Sequence, residues 1–318
     1  MNNVNTPYDD VFRTLLTDCS HLILPVLNEV FGESYLGTET IILKNNEHFL
    51  FQADSQQDKI ITDSSFLVVG DSVSKSYHIE CQSTPDGSMA IRMFEYDSQI
   101  ALQDSHAGYD SLTLNFPHSA ILYLRHTSGT PSQFTITINT PGGQISYSIP
   151  TLKVQRYSIG TIFDKRLYFL VPFYIFTYES QLKSIENDTD RLDALCNEYA
   201  IIRTRLETLT LQGNLSEYTL KTICDMTDKV ISSLAHKYEK IKKEVTTAMG
   251  GKVLEYEAKT IYREGIKEGI KEGINEGMET LSKLYTLLVD AGRSEDANLA
   301  MRDETARNTF IKEFGLKK

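Results

Sequence analysis

The stretch SYHIECQ, residues 76–82, decides how the rest of this chain is interpreted. Successive side chains of a β-strand point to opposite faces, so a strand here would have one apolar face and one polar face. The apolar face carries Tyr77, Ile79 and Cys81, and the polar face carries His78, Glu80 and Gln82. The alternation therefore predicts a β-strand that presents a carboxylate and an amide on the same face.

The residues on both sides of this strand predict helices. Asp86-Gly87 is a typical turn pair, and Ser88 is a suitable N-cap for a helix from about Met89 to Gln103. Before the strand, residues 8–31 carry apolar side chains at three- and four-residue spacing, with Pro25 at the start or kink of a second helix. The strand thus lies between two helical segments along the chain.

Further strands are predicted where β-branched and aromatic residues cluster. They are Thr40–Leu43, Ile60–Thr62, Phe66–Val69, Ala120–Arg125, Gln133–Asn139 and Gln144–Ile149. A hairpin signal, Thr140-Pro141-Gly142-Gly143, separates the last two. From about residue 180, helical patterns replace strands, with breaks near 187–190, 212–216 and 250–251. This order predicts an α/β fold with a mixed central sheet flanked by helices, followed by an α-helical C-terminal region.

The composition is that of an ordinary globular protein, with 41% hydrophobic and 24% charged residues in a chain of 318. Residues 1–8 are polar and do not form a secretion signal, so we expect a cytoplasmic protein. The longest apolar stretch, Leu167 to Phe176, contains Pro172 and is too short to span a bilayer, which predicts a buried segment and no membrane partner. Four scattered cysteines without a CxxC pair predict reduced thiols rather than a zinc site.

Three polar residues predict a metal site. Asp63 closes the predicted strand Lys59–Thr62, and Glu80 and Gln82 project together from the polar face of their strand. The separation between Asp63 and Glu80 is long enough for a hairpin that brings the two carboxylates side by side. Mg²⁺ prefers oxygen ligands and usually takes one or two carboxylates with water and substrate phosphate. A cation held there would activate water and stabilise charge on a phosphate.

Four segments, in this order, resemble the PD-(D/E)XK nuclease core, and more closely the Rpn family of recombination-promoting nucleases, a family also associated with transposases. Tyr8–Arg13 resembles a D-x-x-F-K start, Ile61–Asp63 the strand with the metal-binding Asp, Ile79–Gln82 the E-x-Q form of an E-x-K motif, and Ser88–Tyr96 the following helix with its R-x-x-x-Y pair. A glycine-glutamate repeat near the C-terminus is also common in this family.

The resemblance implies a restriction-endonuclease-like core that cleaves DNA with Mg²⁺ or Mn²⁺ in a mobile-element, recombination or defence setting. The residues that it assigns are the metal ligands Asp63, Glu80 and the backbone carbonyl of Cys81, the water-positioning Gln82, and the supporting Asp9, Arg92 and Tyr96. Gln82 stands where the broader superfamily has lysine, and glutamine orients water without adding charge. We hypothesise that Arg92 supplies part of the missing positive charge.

Each of these residues also has a simpler explanation. Asp63 would simply cap a turn, and Glu80 and Gln82 would lie on a solvated strand face. Arg92 and Tyr96 would lie on a helix stripe that faces solvent or packs on the sheet. Asp9 would interact with the helix dipole, and His78 would lie on the surface. What favours the metal site is the joint occurrence of the acids and the following helix.

The net charge of −11 argues against general nucleic-acid binding, since phosphate contacts need Lys and Arg. The basic residues concentrated in the first half suit either DNA backbone contacts or ordinary solvated charges; they are Lys153, Arg156, Lys165 and Arg166. Two functions therefore stay open: a metal-dependent DNA endonuclease, or a catalytically degenerate module of the same kind that acts in regulation or protein interaction.

Residues Glu264 to Glu279 repeat EGIK, EGIK, EGIN and EGME. On an α-helix, a residue at every fourth position drifts by about 40° per repeat and forms a continuous, slowly right-handed stripe. Interior glycines make such a helix marginal alone, which favours a homo-oligomer; a flexible charged spacer is the alternative. The predicted organisation is a nuclease-like core at 1–178, a helical region at 179–262, and the repeat helix with a helical tail at 263–318.

Overall fold

The computed structural model of the protein describes residues 7–44, 64–70, 74–250 and 280–316, with the backbone alone at 47–51, 57–61 and 304–305. It consists of two compact units, Met1–Lys252 and Val253–Lys318. Asp63 and the repeat Glu264–Glu279 lie outside the described residues. The region boundaries predicted at residues 178 and 262 stay predictions.

A six-stranded mixed sheet organises the first unit. The strands are β1 (Thr40–Leu43), β2 (Glu47–Phe51), β3 (Gln57–Ile61), β4 (Ser65–Val69), β5 (Ser74–Gln82), β6 (His106–Ala107), β7 (Leu112–Thr113), β8 (His118–Tyr123), β9 (Gln133–Thr140) and β10 (Gly143–Lys153). The order across the sheet is β1-β4-β5-β8-β10-β9. Neighbours β5, β8 and β10 run parallel, and the other pairs are antiparallel. β2 pairs with β3, and β6 with β7, in two separate hairpins.

Helices lie before, within and after the sheet sequence. They are α1 (Pro7–Asp18), α2 (Leu24–Phe31), α3 (Met89–Gln103), α4 (Ile159–Asp164), α5 (Leu182–Glu186), α6 (Thr189–Leu211), α7 (Glu217–Leu234), α8 (Glu239–Ala248), α9 (280–290), α10 (Ser294–Arg302) and α11 (Glu304–Glu313). Short 3₁₀ helices cover Ser20–Ile23, Val154–Arg156 and Tyr168–Gln181. The predicted α/β fold, with a mixed sheet flanked by helices and helices at the C-terminal end, is confirmed.

Both faces of the central strands are covered, because the alternating side chains of β5 and β8 enter two different hydrophobic clusters. Tyr77 and Ile79 join the large core formed with α1, α2 and the segment Tyr168–Gln181. On the opposite face, Ile121 and Tyr123 pack with Met89 and Met93 of α3. The polar face of β5 therefore lies under α3.

Helices α5 to α8, which follow the sheet, bury their apolar side chains in the same large core. Residues Leu167 to Phe176, predicted to be buried, are buried apart from the half-buried Tyr168. Asp188 and Ser216 cap α6 and α7 through side-chain hydrogen bonds to Arg191 and Thr219 backbone N–H groups. These caps lie at the two chain breaks predicted near 187–190 and 212–216, and the further break at 235–238 was not predicted.

The second unit has a small core of its own. α9, α10 and α11 contribute the apolar side chains that fill it: Leu284, Leu288, Ala297, Ala300 and Ile311. Arg293 fixes the turn after α9, since its guanidinium donates to Asp296 at 2.7 Å and to Glu313 at 2.5 Å. No helix within the described residues combines the length and apolar character needed to cross a membrane.

Candidate functional site

The structure places Glu80 and Gln82 at the carboxyl end of β5, in the centre of the sheet. Glu80 pairs in register with Ile121 of the parallel strand β8, and Gln82 pairs with Tyr123. Glu80 is 2% exposed because α3 covers this face, so the solvated strand face that was the simpler alternative for Glu80 is wrong. The carboxyl ends of adjacent parallel strands are where open α/β sheets commonly bind ligands.

Arg92 of α3 lies over this strand end and collects oxygen acceptors. Its Nη2 donates to Glu80 Oε1 at 2.6 Å, and its Nη1 lies 3.4 Å from both Gln82 Oε1 and Asp86 Oδ2. The ring of Tyr96, one turn further along α3, has its centroid 5.8 Å from the guanidinium carbon. We call Glu80, Gln82, Asp86 and Arg92 the Glu80 cluster.

Asp86 shapes the turn that leads into α3. Its Oδ1 accepts from Ser88 N at 2.8 Å and from Ser88 Oγ at 2.6 Å. Ser88 occupies the predicted N-cap position, but its hydroxyl donates to Asp86 and makes no side-chain capping bond to α3. The helix begins at Met89, where it was predicted.

Beneath the cluster, a fully buried histidine links two carboxylates. His78 Nδ1 lies 2.8 Å from Asp97 Oδ1, and its Nε2 lies 3.7 Å from Glu80 Oε2. The Oγ of Ser119 donates to the same Asp97 oxygen at 2.6 Å. His78 is 0% exposed, so its predicted surface position is wrong.

The charges around His78 balance one another. Burial alone would lower the pKa of His78, but the hydrogen bond to Asp97 and the charges of Asp97 and Glu80 outweigh it and raise the pKa to about 9. A protonated His78 between two carboxylates, with Arg92 on the far side of Glu80, gives a buried chain of alternating charge. Such a chain fixes the position of Glu80, since each ion has a neighbour of opposite sign.

The oxygen atoms near Glu80 are suitable ligands for a hard divalent cation, because they belong to carboxylate and amide groups. Within the described parts of the chain, no group of three or more His, Cys, Asp or Glu side chains is arranged to hold a metal ion. The second predicted ligand, Asp63, lies outside those parts, one peptide bond before Ser64, whose Oγ donates to the carbonyl of Ile79 at 2.9 Å. A metal ion bound to Glu80 would share the Glu80 carboxylate with Arg92.

The other predicted supporting residues lie in defined places. Tyr96 is 4% exposed and packs edge-on against the ring of His78, with the centroids 5.9 Å apart, so it does not form a wet surface stripe. Asp9 is half-buried in the first turn of α1, where an acid interacts favourably with the helix dipole. The backbone of Cys81 is part of the β5 ladder beside β8.

The four predicted DNA-contacting basic residues do not behave alike. Lys153 is 6% exposed, and its ammonium donates to the carbonyl of Thr130, so DNA would not reach it without rearrangement. Lys165 is exposed but binds both carboxylate oxygens of Glu29 at 2.8 Å. Arg156 and Arg166 are exposed, and Arg166 has a left-handed backbone with a φ of 57°.

Sequence reasoning missed Asp86, Asp97, Ser119 and Tyr123. Asp97 alone left a signal, because it lies on the stripe of α3 that also carries the buried Met93, Ile100 and Ala101. A carboxylate on an apolar helix face needs a buried partner, since an unpaired buried charge is costly. The histidine that provides this partner is on a strand and is recognisable only once the sheet and helix are packed.

Comparisons with protein-family models, with curated proteins and with solved structures gave no match to this chain. The features of the chain that indicate a function are therefore the geometry of the Glu80 cluster and the motifs of the sequence.

Proposed function

We propose that the protein is a metal-dependent endonuclease that hydrolyses DNA phosphodiester bonds at the Glu80 cluster. The observation that carries the proposal is a buried carboxylate at the carboxyl end of a central strand, held by an arginine from the next helix and followed by a glutamine on the same strand face. A buried carboxylate needs strong local compensation, and such arrangements are concentrated at functional sites.

The order of elements supports the same proposal. The chain runs from helices α1 and α2 through antiparallel strands to β5 with its E-x-Q sequence, then through α3 to the parallel strand β8. This is the order expected for a restriction-endonuclease-like core. Arg92, which follows the E-x-Q sequence by ten residues, lies within hydrogen-bonding distance of both Glu80 and Gln82.

Three residues of the cluster have a chemical role in this proposal. Glu80, with Asp63 and the carbonyl of Cys81, would hold Mg²⁺ or Mn²⁺, and such a cation would act as a Lewis acid on the scissile phosphate and lower the pKa of an attacking water. Gln82 orients that water by hydrogen bonds. Arg92 neutralises charge on the phosphate, because a guanidinium binds phosphate oxygens strongly.

The chain His78–Asp97–Ser119 positions Glu80 from below. His78 Nε2 lies 3.7 Å from Glu80 Oε2, so a protonated His78 places a positive charge beneath this carboxylate. None of these three side chains faces solvent: His78 and Asp97 are 0% exposed and Ser119 is 4% exposed. Their contribution is therefore to the position of Glu80 and not to contact with DNA.

Plasmid cleavage by the purified protein with Mg²⁺, Mn²⁺ or EDTA tests the proposal. We expect cleavage that requires metal and is lost in Asp63→Ala and Glu80→Gln. Glu95→Gln, the same change at an exposed position of α3, is the matched control and should cleave normally. Absence of cleavage by the wild-type protein at low salt and high protein concentration would reject the endonuclease.

The second candidate is a non-catalytic module of the same fold that acts through regulation or protein interaction. It is favoured by the 2.6 Å ion pair between Arg92 and Glu80, in which an internal cation already binds one carboxylate oxygen. Metal binding separates the two candidates. If the site binds metal, added Mg²⁺ or Mn²⁺ raises the melting temperature of the protein by mass action. If the site is degenerate, the melting temperature does not change.

A further inference from the structure

The carboxyl end of β8 carries a buried hydroxyl group without a hydrogen-bond partner. Tyr123 is 0% exposed, and its Oη has no partner within the described residues. Register pairing with Gln82 on the neighbouring parallel strand places both side chains on the α3 side of the sheet. An unsatisfied buried hydroxyl costs stability, so its presence beside the Glu80 cluster calls for a functional explanation.

The carboxylate of Asp86 contacts Gln82 and Arg92 at the same end of the sheet and is held unevenly. Its Oδ1 receives two short bonds from Ser88, whereas its Oδ2 is 3.4 Å from both Gln82 Nε2 and Arg92 Nη1. Burial, with the nearby charge of Asp86, raises the pKa of Tyr123 to about 12 against the opposite effect of Arg92. The hydroxyl therefore stays protonated at neutral pH and remains a hydrogen-bond donor.

We propose that Arg92, Gln82 and Tyr123 form a subsite for the anionic oxygens of a phosphodiester, and that Asp86 Oδ2 occupies the Arg92 and Gln82 donors of this subsite in the free protein. The inference rests on the proposed function and adds Tyr123 as a DNA-binding residue and Asp86 as a regulatory residue. The guanidinium, the amide NH₂ and the phenol are all donors, which suits an anion and excludes a metal ion from this position. The subsite is thus separate from the carboxylate oxygens of Glu80.

A phosphate group can displace the Asp86 carboxylate from Arg92 and Gln82. Its side chain is 41% exposed, and both of its contacts to the subsite are long. Gly87, the next residue of the turn, has no atom near the place where a Cβ would lie, so the turn has room to change. A phosphate oxygen would replace Oδ2 and give the hydroxyl of Tyr123 an acceptor that it lacks in the free protein.

Two substitutions should act in opposite directions on DNA affinity. Asp86→Asn removes the competing charge and keeps an Oδ1 acceptor for Ser88, so we expect binding tighter by about threefold to tenfold. Tyr123→Phe removes only the donor, so we expect binding weaker by roughly tenfold with an unchanged or higher melting temperature. Fluorescence anisotropy of a labelled short DNA duplex, in EDTA and at low salt, measures both.

Each substitution has a control of the same chemistry elsewhere. Asp110→Asn removes a charge from the exposed turn between β6 and β7 and should leave the affinity nearly unchanged. Tyr199→Phe removes another fully buried hydroxyl without a partner in the described structure, on α6, and should not weaken binding. These controls separate the subsite from the effects of net charge and of deleting a buried hydroxyl.

The inference is overturned if Asp86→Asn binds no more tightly than Asp110→Asn, or if Tyr123→Phe binds as well as the wild type. A large loss of thermal stability in Tyr123→Phe also overturns it, because the hydroxyl would then have an internal partner. So does the absence of duplex binding by both the wild type and Asp86→Asn. Cleavage with Mg²⁺ is scored separately: Tyr123-dependent binding without cleavage leaves the subsite standing and rejects the endonuclease.

Discussion

At the scale of single residues, the buried ions under α3 depend on one another. His78 lies between Asp97 and Glu80, and Arg92 lies on the far side of Glu80. Removing one member of a buried ion pair leaves an uncompensated charge, which is more costly than losing the whole group of charges. The four residues therefore act as a unit, and substitutions within it should not be additive.

We expect His78→Gln to lower the free energy of unfolding by about 3–5 kcal/mol, because Asp97 and Glu80 then face each other without the intervening cation. Adding Asp97→Asn should restore part of that loss, since it removes one of the opposed carboxylates. Urea denaturation at neutral pH measures both, with His106→Gln at an exposed position as the control. A loss below about 1 kcal/mol in His78→Gln would contradict a charged histidine here.

What the sequence alone could predict at this scale depends on the range of each interaction. Glu80, Gln82 and Arg92 were recognisable because strand alternation and helix spacing are local, and the structure brings the three together. The bond between His78 and Asp97 joins a strand to a helix and has no local signature. Tyr123 resembles an ordinary apolar core residue in the sequence, and its function rests on a hydroxyl whose lack of a partner only the packed structure shows.

At the scale of elements, α3 and the β9–β10 hairpin were predictable within a few residues, because apolar periodicity and a Pro-Gly-Gly turn determine them locally. The burial of Glu80 on the polar face of β5 was not predictable from strand alternation, which also fits a strand with one wet face. The turn at 235–238 between α7 and α8 contains no Gly or Pro, which explains why no breaker signal marked it.

The packing of α7 against α6 and α8 contains an acid with an unusual pKa. Burial and the charge of Asp225 raise the pKa of Asp228 to about 7, against the opposite effects of Thr246 on α8 and Arg203 on α6. An unfolded chain gives an aspartate a pKa of about 3.9. Because the folded state holds the proton more tightly, this group stabilises the fold fully below about pH 4, and that contribution is lost as the pH rises through about 7.

We therefore expect Asp228→Asn to remove a decrease in the free energy of unfolding that the wild-type protein shows between about pH 4 and about pH 7. Urea denaturation at several pH values measures the difference between the two proteins, which should grow as the pH rises. Asp110→Asn, at an exposed turn, should follow the wild-type curve. Parallel curves for Asp228→Asn and the wild type would show that folding does not raise the pKa of Asp228.

At the scale of the whole molecule, the apolar side chains fall into separate cores. The large core collects residues from α1 through to Met249, including all of the helices α5 to α8. The last three helices fill a different, smaller cluster. The chain thus forms two compact units, Met1–Lys252 and Val253–Lys318. Separate cores indicate that each unit has its own source of stability.

A protein ending at residue 252 should therefore unfold with a free energy within about 1 kcal/mol of the corresponding transition of the full chain. The same truncation tests the proposed homo-oligomer, because it removes the repeat at 264–279. Sedimentation equilibrium should show an oligomer for the full chain and a monomer for residues 1–252.

A full-length variant with Ile266, Ile270 and Ile274 changed to Gln distinguishes loss of the repeat's apolar stripe from loss of the whole second unit. A monomeric variant would assign self-association to that stripe. An oligomeric variant would assign it to another surface and favour a spacer role for the repeat. No apolar side chain of the described large core lies past Met249, so the truncated protein is expected to fold. If it fails to fold, the large core depends on residues beyond 252.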